Sequence, residues 1–289
     1  MRLSVVVISR NEGKWLRRTI ENLEDTIPAS AEIMIVDDGS TDGSTDSFAR
    51  RRGRVRLHRV KGFGVAKARN FGARQASGDA LVFADAHLSL DALWWQPLLE
   101  QIEDPRVGAA APGITQLPSA PVAGYGITFS GPHLEVKWLR RKPKSPQAAP
   151  ILPGCCLAMR RDVLERAGGG WDDGLLHRGN VDNETSVRLW LLGYELMIVP
   201  EVVVQHRFRQ QSPYAVGWPE YLHNRLRLAF VHFNPQRLAR VVARLRKYPG
   251  FGEALALLAD SDIAARRREL FCHRTRNDDW YFERFRLNW

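Results

Sequence analysis

Apolar and polar positions in the first hundred residues switch between two periods. Leu3–Ser9 (LSVVVIS) is a near-continuous apolar run rich in β-branched residues, the pattern of a strand covered on both faces. Trp15, Leu16, Ile20, Leu23 and Ile27 then recur at helical spacing, which predicts an amphipathic helix with Asn11 as its candidate cap. Glu32–Asp37 (EIMIVD) predicts a second strand and Val55–Val60 a shorter third. Gly64–Ala76 has a helical pattern, and Ala80–Ala84 predicts a fourth strand. Strands alternating with helices imply an α/β fold, with a mostly parallel central sheet flanked by helices.

The alternation weakens after about Asp104. Residues 112–154 hold many prolines and glycines and the basic stretch Lys137–Lys144. They predict long loops with short strands, the kind of region on which α/β enzymes build substrate sites. Helices are expected near Asp162–Ala167 and over Asn183–Leu192, and strands at Leu196–Val199 and Val202–Gln205. Beyond Pro213 the pattern is a helical extension. Pro235 is placed to start one helix, with Leu238, Val241, Val242 and Leu245 on its apolar side, and Glu253–Leu270 predicts another.

Composition changes this picture little. Hydrophobic residues make up 44% and charged residues 26%, as in an ordinary globular protein. No leader-like segment opens the chain, and no run approaches the roughly 20 apolar residues of a membrane-spanning helix, so a cytoplasmic location is expected. Cys155, Cys156 and Cys272, an odd set without a C-x-x-C pair, predict reduced structural thiols. Charge is more informative. Of the net +10, a surplus of 8 lies from Arg207 onward, where 16 lysines and arginines face 8 acidic residues. Such a block either attracts phosphates, acidic membranes or nucleic acid, or is a solvated helical face.

Four short motifs carry candidate chemistry. Asp37-Asp38-Gly39-Ser40 follows a strand; ligands of open parallel sheets bind beyond the carboxyl ends of strands, but D-D-G-S is also an ordinary turn. Asp85-Ala86-His87 follows the apolar run Ala80–Ala84. A carboxylate and an imidazole two residues apart suit a divalent ion of the Mn²⁺ kind, which would neutralise a phosphate leaving group. His206-Arg207-Phe208-Arg209 follows another strand; His206 is either a third ligand or a structural histidine, and Arg209 a diphosphate contact. Asp182, at the start of a predicted helix, is either a catalytic base or a cap.

Taken together, S-V-V-V-I-S-R-N-E, I-V-D-D-G-S-T-D, A-R-N-F-G (Ala68–Gly72) and D-A-H resemble glycosyltransferase family 2 and its nucleotide-diphospho-sugar transferase (GT-A) fold. The family normally carries D-x-D where this chain has D-A-H. That departure, with Gly170-Trp171-Asp172, the run Glu184–Trp190 and H-R-F-R-Q-Q-S-P-Y, is similar to the polypeptide N-acetylgalactosaminyltransferases. The resemblance covers about residues 3–215 and is to a catalytic domain only. It implies a metal-dependent hexosyl- or N-acetylhexosaminyltransferase using a UDP-linked sugar. Residues 1–104 would be its nucleotide-sugar-binding half, 105–215 its acceptor- and metal-binding half, and 216–289 a basic helical extension in possible contact with a membrane or acidic surface.

The resemblance also implies roles. Asp85, His87 and His206 would hold Mn²⁺ or Mg²⁺. Ser9, Asn11, Glu12, Asp37, Arg69, Asp85, Arg209 and Tyr214 would bind the nucleotide diphosphate, with Arg209 and Tyr214 on a loop over it. Asp182 would match the general base of inverting members, although Val181 stands where they carry an acid. Trp138 is a candidate acceptor platform, because aromatic faces suit sugar C–H surfaces. Two other classes compete. A nucleotidyltransferase needs a glycine-rich basic loop after the first strand, which Ser9–Lys14 lacks. A nucleic-acid module needs stacking aromatics on a sheet, and Arg207–Trp289 reads helical, so no nucleic-acid partner is expected.

Overall fold

The computed structural model describes residues 1–118, 123–209 and 217–289. Strands β1 (Leu3–Ser9), β2 (Glu32–Asp38), β3 (Val55–Val60) and β4 (Ala80–Asp85) lie in the order β3-β2-β1-β4, all parallel. Neighbouring residues of β1 point into opposite cores: Val6 joins Met34, Val36 and Phe83 on one face, while Val5 and Val7 join Ile33, Ile35 and Val82 on the other. Both faces are dry, which is why the run is apolar at nearly every position. Helix α1 (Lys14–Thr26) buries Leu16, Ile20 and Leu23 against the second face, and α2 (Gly64–Gln75) covers the first.

The sheet continues through elements that the periodicity missed. Beyond the two-residue β5 (Leu88–Ser89) and α3 (Trp95–Glu103) comes β6 (Val107–Gln116). Alanines, glycines and Pro112 disguise β6 as loop, yet nine of its ten positions are buried. A small hairpin, β7 (Ile127–Phe129) and β8 (Val136–Trp138), precedes β9 (Gln147–Ala148) and β10 (Cys156–Arg160). After α4 (Arg161–Arg166) and α5 (Val181–Leu191), the predicted pair of strands around Pro200 is one strand, β11 (Glu195–His206). A register shift between Val199 and Val203 absorbs the proline. The order extends as β4-β10-β6-β11-β5, with β10 antiparallel to both neighbours and β6 parallel to β11. The central sheet is therefore mixed, with its longest ladders parallel.

The chain closes with α6 (Trp218–His232), α7 (Pro235–Leu245), α8 (Phe251–Ala259), α9 (Ile263–His273) and α10 (Asp278–Arg284). Asn234 caps α7 by accepting from Arg237 N at 2.9 Å, and Val241 and Leu245 are fully buried, as the stripe predicts. The single helix expected over Glu253–Leu270 is two. Its break frees Asp262 to reach the fully buried Arg227 at 2.7 Å. Leu222, Leu226 and Ala229 of α6, with Phe233 just after it, lie in the same core as Val6 and Phe83, and many basic residues here are structural. Arg227 makes two 2.7 Å bonds to Asp172, Arg237 pairs with Asp278 and Asp279, and Arg276 with Glu195. Among the described residues no helix is long and apolar enough to cross a membrane.

A buried ionic cluster joins α5 to α6. Glu184, fully inaccessible, accepts from Arg188 Nε at 2.9 Å and His232 Nε2 at 3.0 Å. Burial opposes its charge, but Arg188 and His232 outweigh it and hold the carboxyl well below the usual range. Burial pushes the His232 imidazole down despite that carboxylate. Arg188→Met should therefore cost about 3–5 kcal/mol in urea unfolding, because it strands a buried charge. Both shifts have the same sign for acid. A lowered histidine loses stability as pH falls below about 6.5, and a lowered glutamate as it falls below about 4.3, since the unfolded chain takes up the proton first. Unfolding midpoints measured from pH 7 to 4 should fall monotonically in the wild type; a flat profile would contradict the cluster's role.

Candidate active site

The ends of β4 and β11 converge, although β10 and β6 lie between them. Asp85 ends β4, Ala86 and His87 turn, and β5 runs antiparallel to the end of β11 with Leu88 opposite His206. Arg207 N donates to His87 O at 3.1 Å. Backbone pairing thus ties D-A-H to H-R-F-R. His87 Nε2 and His206 Nε2 are 3.1 Å apart, His206 Nε2 is 3.1 Å from Asp85 Oδ2, and His87 Nε2 is 3.9 Å from the same oxygen. Adjacent ligands around an octahedral ion with bonds of about 2.1 Å stand about 3 Å apart. The donor set, two imidazoles and a carboxylate, therefore fits a divalent first-row cation in both chemistry and spacing. Burial works against the charge of Asp85, but the hydrogen bond from His206 and the charges of His87, His206 and Arg69 hold its carboxyl well below the usual range.

Glu12 completes this corner. Its buried carboxylate accepts from His87 Nδ1 at 3.0 Å and also pairs with Arg209. With Nδ1 committed as donor, Nε2 is left to face Asp85 and His206, the arrangement by which a carboxylate fixes a ligating imidazole.

The opposite wall is built by α2 and α5. Arg69, 3% exposed, donates from Nη1 to Asp182 Oδ1 at 2.8 Å and from Nη2 to Gly154 O at 2.6 Å, and stands 4.0 Å from Asp85. Its guanidinium lies 5.4 Å from the Trp171 ring. Gly154 N donates to the other oxygen of Asp182 at 3.1 Å. A Cβ on residue 154 would sit 1.9 Å from Asp182 Oδ1, so only glycine lets that carboxylate approach. Asp182 is inside α5, not its cap; Asn180 holds the cap position with φ 58°.

Between the walls lies a cleft of about 410 Å³, the size of a small-molecule site. Ser9, Glu12, Arg69, Asp85, His87, Trp138, Asp182, His206 and Arg209 all line it. Asp37 and Asn11 do not. Asp37 is buried and accepts from Ser40 N and Thr45 Oγ1, each at 2.9 Å, while Asp38 reaches the cleft, its oxygens held by Phe63 N and Gly64 N. Asn11, with φ 53°, accepts from Thr41 N at 2.8 Å instead of capping α1, which starts after Gly13. Tyr214 lies outside the described residues. Gly154 and His177 line the cleft unannounced by any motif; Asp38 and Phe208 line it from within D-D-G-S and H-R-F-R, though neither motif singles them out. Cys155 lines it too, and burial pushes its thiol up, consistent with an inert thiol.

Comparison with known proteins agrees with this architecture. The family model described as glycosyl transferase family 2 matches residues 4–168. The chain is 31% identical to human polypeptide N-acetylgalactosaminyltransferase 15, over 78% of this chain and 39% of that protein. It is 32% identical to polypeptide N-acetylgalactosaminyltransferase 11 of Xenopus tropicalis, over 97% of this chain and 49% of that protein. It thus spans about half the length, or less, of these relatives. Among solved structures, GalNAc-T7 with UDP, GalNAc and Mn²⁺ superposes with a TM-score of 0.80 at 23% identity, over 98% of this chain and 56% of that one; the shared fold is GT-A. With the match running from β1 through α4, across most of the sheet that carries the cleft, the chain belongs to glycosyl transferase family 2.

Proposed function

We propose that this chain transfers a hexosyl or N-acetylhexosaminyl group from a UDP-linked donor, with Mn²⁺ or Mg²⁺ held by Asp85, His87 and His206. The observation that carries the reading is the convergence, in a cleft, of the neighbours Asp85 and His87 with the distant His206. The names of the relatives and the UDP and Mn²⁺ bound to GalNAc-T7 support the donor and the ion. A divalent cation there would neutralise charge on the departing diphosphate. The protein's own groups do the rest. Glu12 fixes His87. Ser9 offers a buried hydroxyl that has no hydrogen-bond partner among the described residues. Arg209, paired with Glu12 beside the cluster, is placed to meet phosphate oxygens.

Inversion is the favoured course, with Asp182 taking the acceptor's proton. Of Glu12, Asp85 and Asp182 in this cleft, Asp182 is the most open to solvent, at 34% against 8% and 26%. Glu12 is committed to His87 and Asp85 to the cluster. Arg69 and Gly154 N hold the Asp182 carboxylate in one orientation, the preorganisation a proton acceptor needs.

Three outcomes follow from this reading. Asp85→Asn, His87→Ala and His206→Ala should each abolish Mn²⁺ binding in calorimetry and the metal dependence of UDP-sugar turnover; full turnover in EDTA would refute the site. UDP should bind more tightly than GDP in the same calorimeter, and the reverse order would overturn the donor. Asp182→Asn should lower kcat by about 10²–10⁴-fold with donor affinity unchanged; a retained anomeric linkage in the product, read by NMR, would exclude inversion.

A further inference from the structure

The basic stretch Lys137–Lys144 is absorbed neither by the fold nor by the donor site. Lys137, Arg140, Arg141, Lys142 and Lys144 are all exposed, and no side chain among them has an ion-pair or hydrogen-bond partner among the described residues. The cations of the cleft are different: Arg69 is paired with Asp182 and Arg209 with Glu12. No acidic residue follows Glu135 in sequence until Asp162. Glu135 itself is shared between His133 and Arg225, so the stretch is uncompensated.

Its placement is fixed at both ends. On the cleft side, Leu139 N donates to Gly126 O at 2.9 Å and Leu139 O accepts from Tyr125 N at 2.7 Å. At the far end, Gln147 and Ala148 pair with Ile198 and Met197 near the start of β11. The chain therefore leads from the cleft down the sheet edge. Pro143 and Pro146 restrict the residues before them, and the chain bends at Arg141 and at Lys144–Ser145 on its way from β8 to β9. At the cleft end stands Trp138, which lines the cleft. Its ring packs on Gly124, where a Cβ would meet it at 2.1 Å, and edge-on to Phe208 at 6.0 Å.

Resting on the glycosyltransferase reading above, we propose that the acceptor is an anionic oligosaccharide, with a sugar ring on Trp138 and successive negative groups along Lys137, Arg140, Arg141, Lys142 and Lys144. An aromatic face holds one sugar unit. Five unpaired cations within eight residues match repeated charges better than a single ion, and steer a polyanion toward the cleft. Carboxylates and phosphodiesters satisfy this chemistry equally.

The test is calorimetry on the full chain with Mn²⁺ and UDP present. The probes are oligogalacturonates, oligosaccharides whose sugars are joined by phosphodiesters, neutral dextran oligosaccharides and phosphatidylglycerol vesicles. At least one anionic oligomer should bind, more weakly at higher salt, and dextran should not. The triple variant R140Q/R141Q/K142Q, altered only at exposed positions, should bind that oligomer about tenfold or more weakly. Which oligomer binds distinguishes carboxylate from phosphate. Equal binding by wild type and triple variant, equal binding of dextran, or binding of vesicles alone would overturn the proposal. UDP binding without binding of either anionic oligomer removes the acceptor class and leaves the donor reading standing; absence of UDP binding removes both.

Discussion

The cleft depends on a short tether. Asp85 ends β4 and Leu88 begins β5, yet β10, β6 and β11 stand between those strands in the sheet. Four strand spacings in a flat sheet would separate them by about 19 Å, whereas three Cα–Cα steps reach at most about 11 Å. The sheet must therefore curl, and β10 pairs with β6 at only one register position, Ala158 with Ala110. Curling draws the end of β11 over the end of β4. His206 meets Asp85 and His87 because the backbone permits no flatter arrangement.

Around this closure, buried cations do much of the joining. Arg69 links α2 to the start of α5 and comes within 4.0 Å of Asp85. Arg188 and His232 share Glu184 between α5 and α6. Arg227 carries α6 onto the loop at Asp172 and onto Asp262. Each guanidinium offers several donors in a rigid plane, so one side chain satisfies acceptors from two or three segments at once. Part of the basic surplus of the last 83 residues is thus interior structure, and the free charge that remains near the cleft lies elsewhere, on the stretch after Trp138.

What the sequence made legible follows the same division between local and distant causes. LSVVVIS and EIMIVD announce strands because their β-branched runs are self-sufficient signals, and D-A-H and H-R-F-R stand out because each follows such a run. β6 was hidden because its alanines and Pro112 make a strand only when β10 and β11 flank it. The break between α8 and α9 was hidden because it answers to Arg227, more than thirty residues earlier. Asp37 and Asp38 could not be told apart, since which one faces the cleft depends on the packing of the β2 end against Phe63 and Gly64. Gly154 was overshadowed by the cysteines that follow it; its meaning lies in a carboxylate 28 residues away.

The sequence separation of the three converging side chains has a consequence for how the molecule comes into being. His206 lies 121 residues from Asp85 and 119 from His87. In the unfolded chain no pair of them with His206 is close, and closing so long a loop carries an entropy cost that only the assembled sheet repays. The corner therefore depends on the long-range pairing of β5 with β11 and not on any local helix. An ion held by all three side chains would bind the folded chain more tightly than the unfolded one, where only Asp85 and His87 stay near each other, so its binding would add to the folding equilibrium. Occupancy of the cleft and persistence of the fold are thereby coupled.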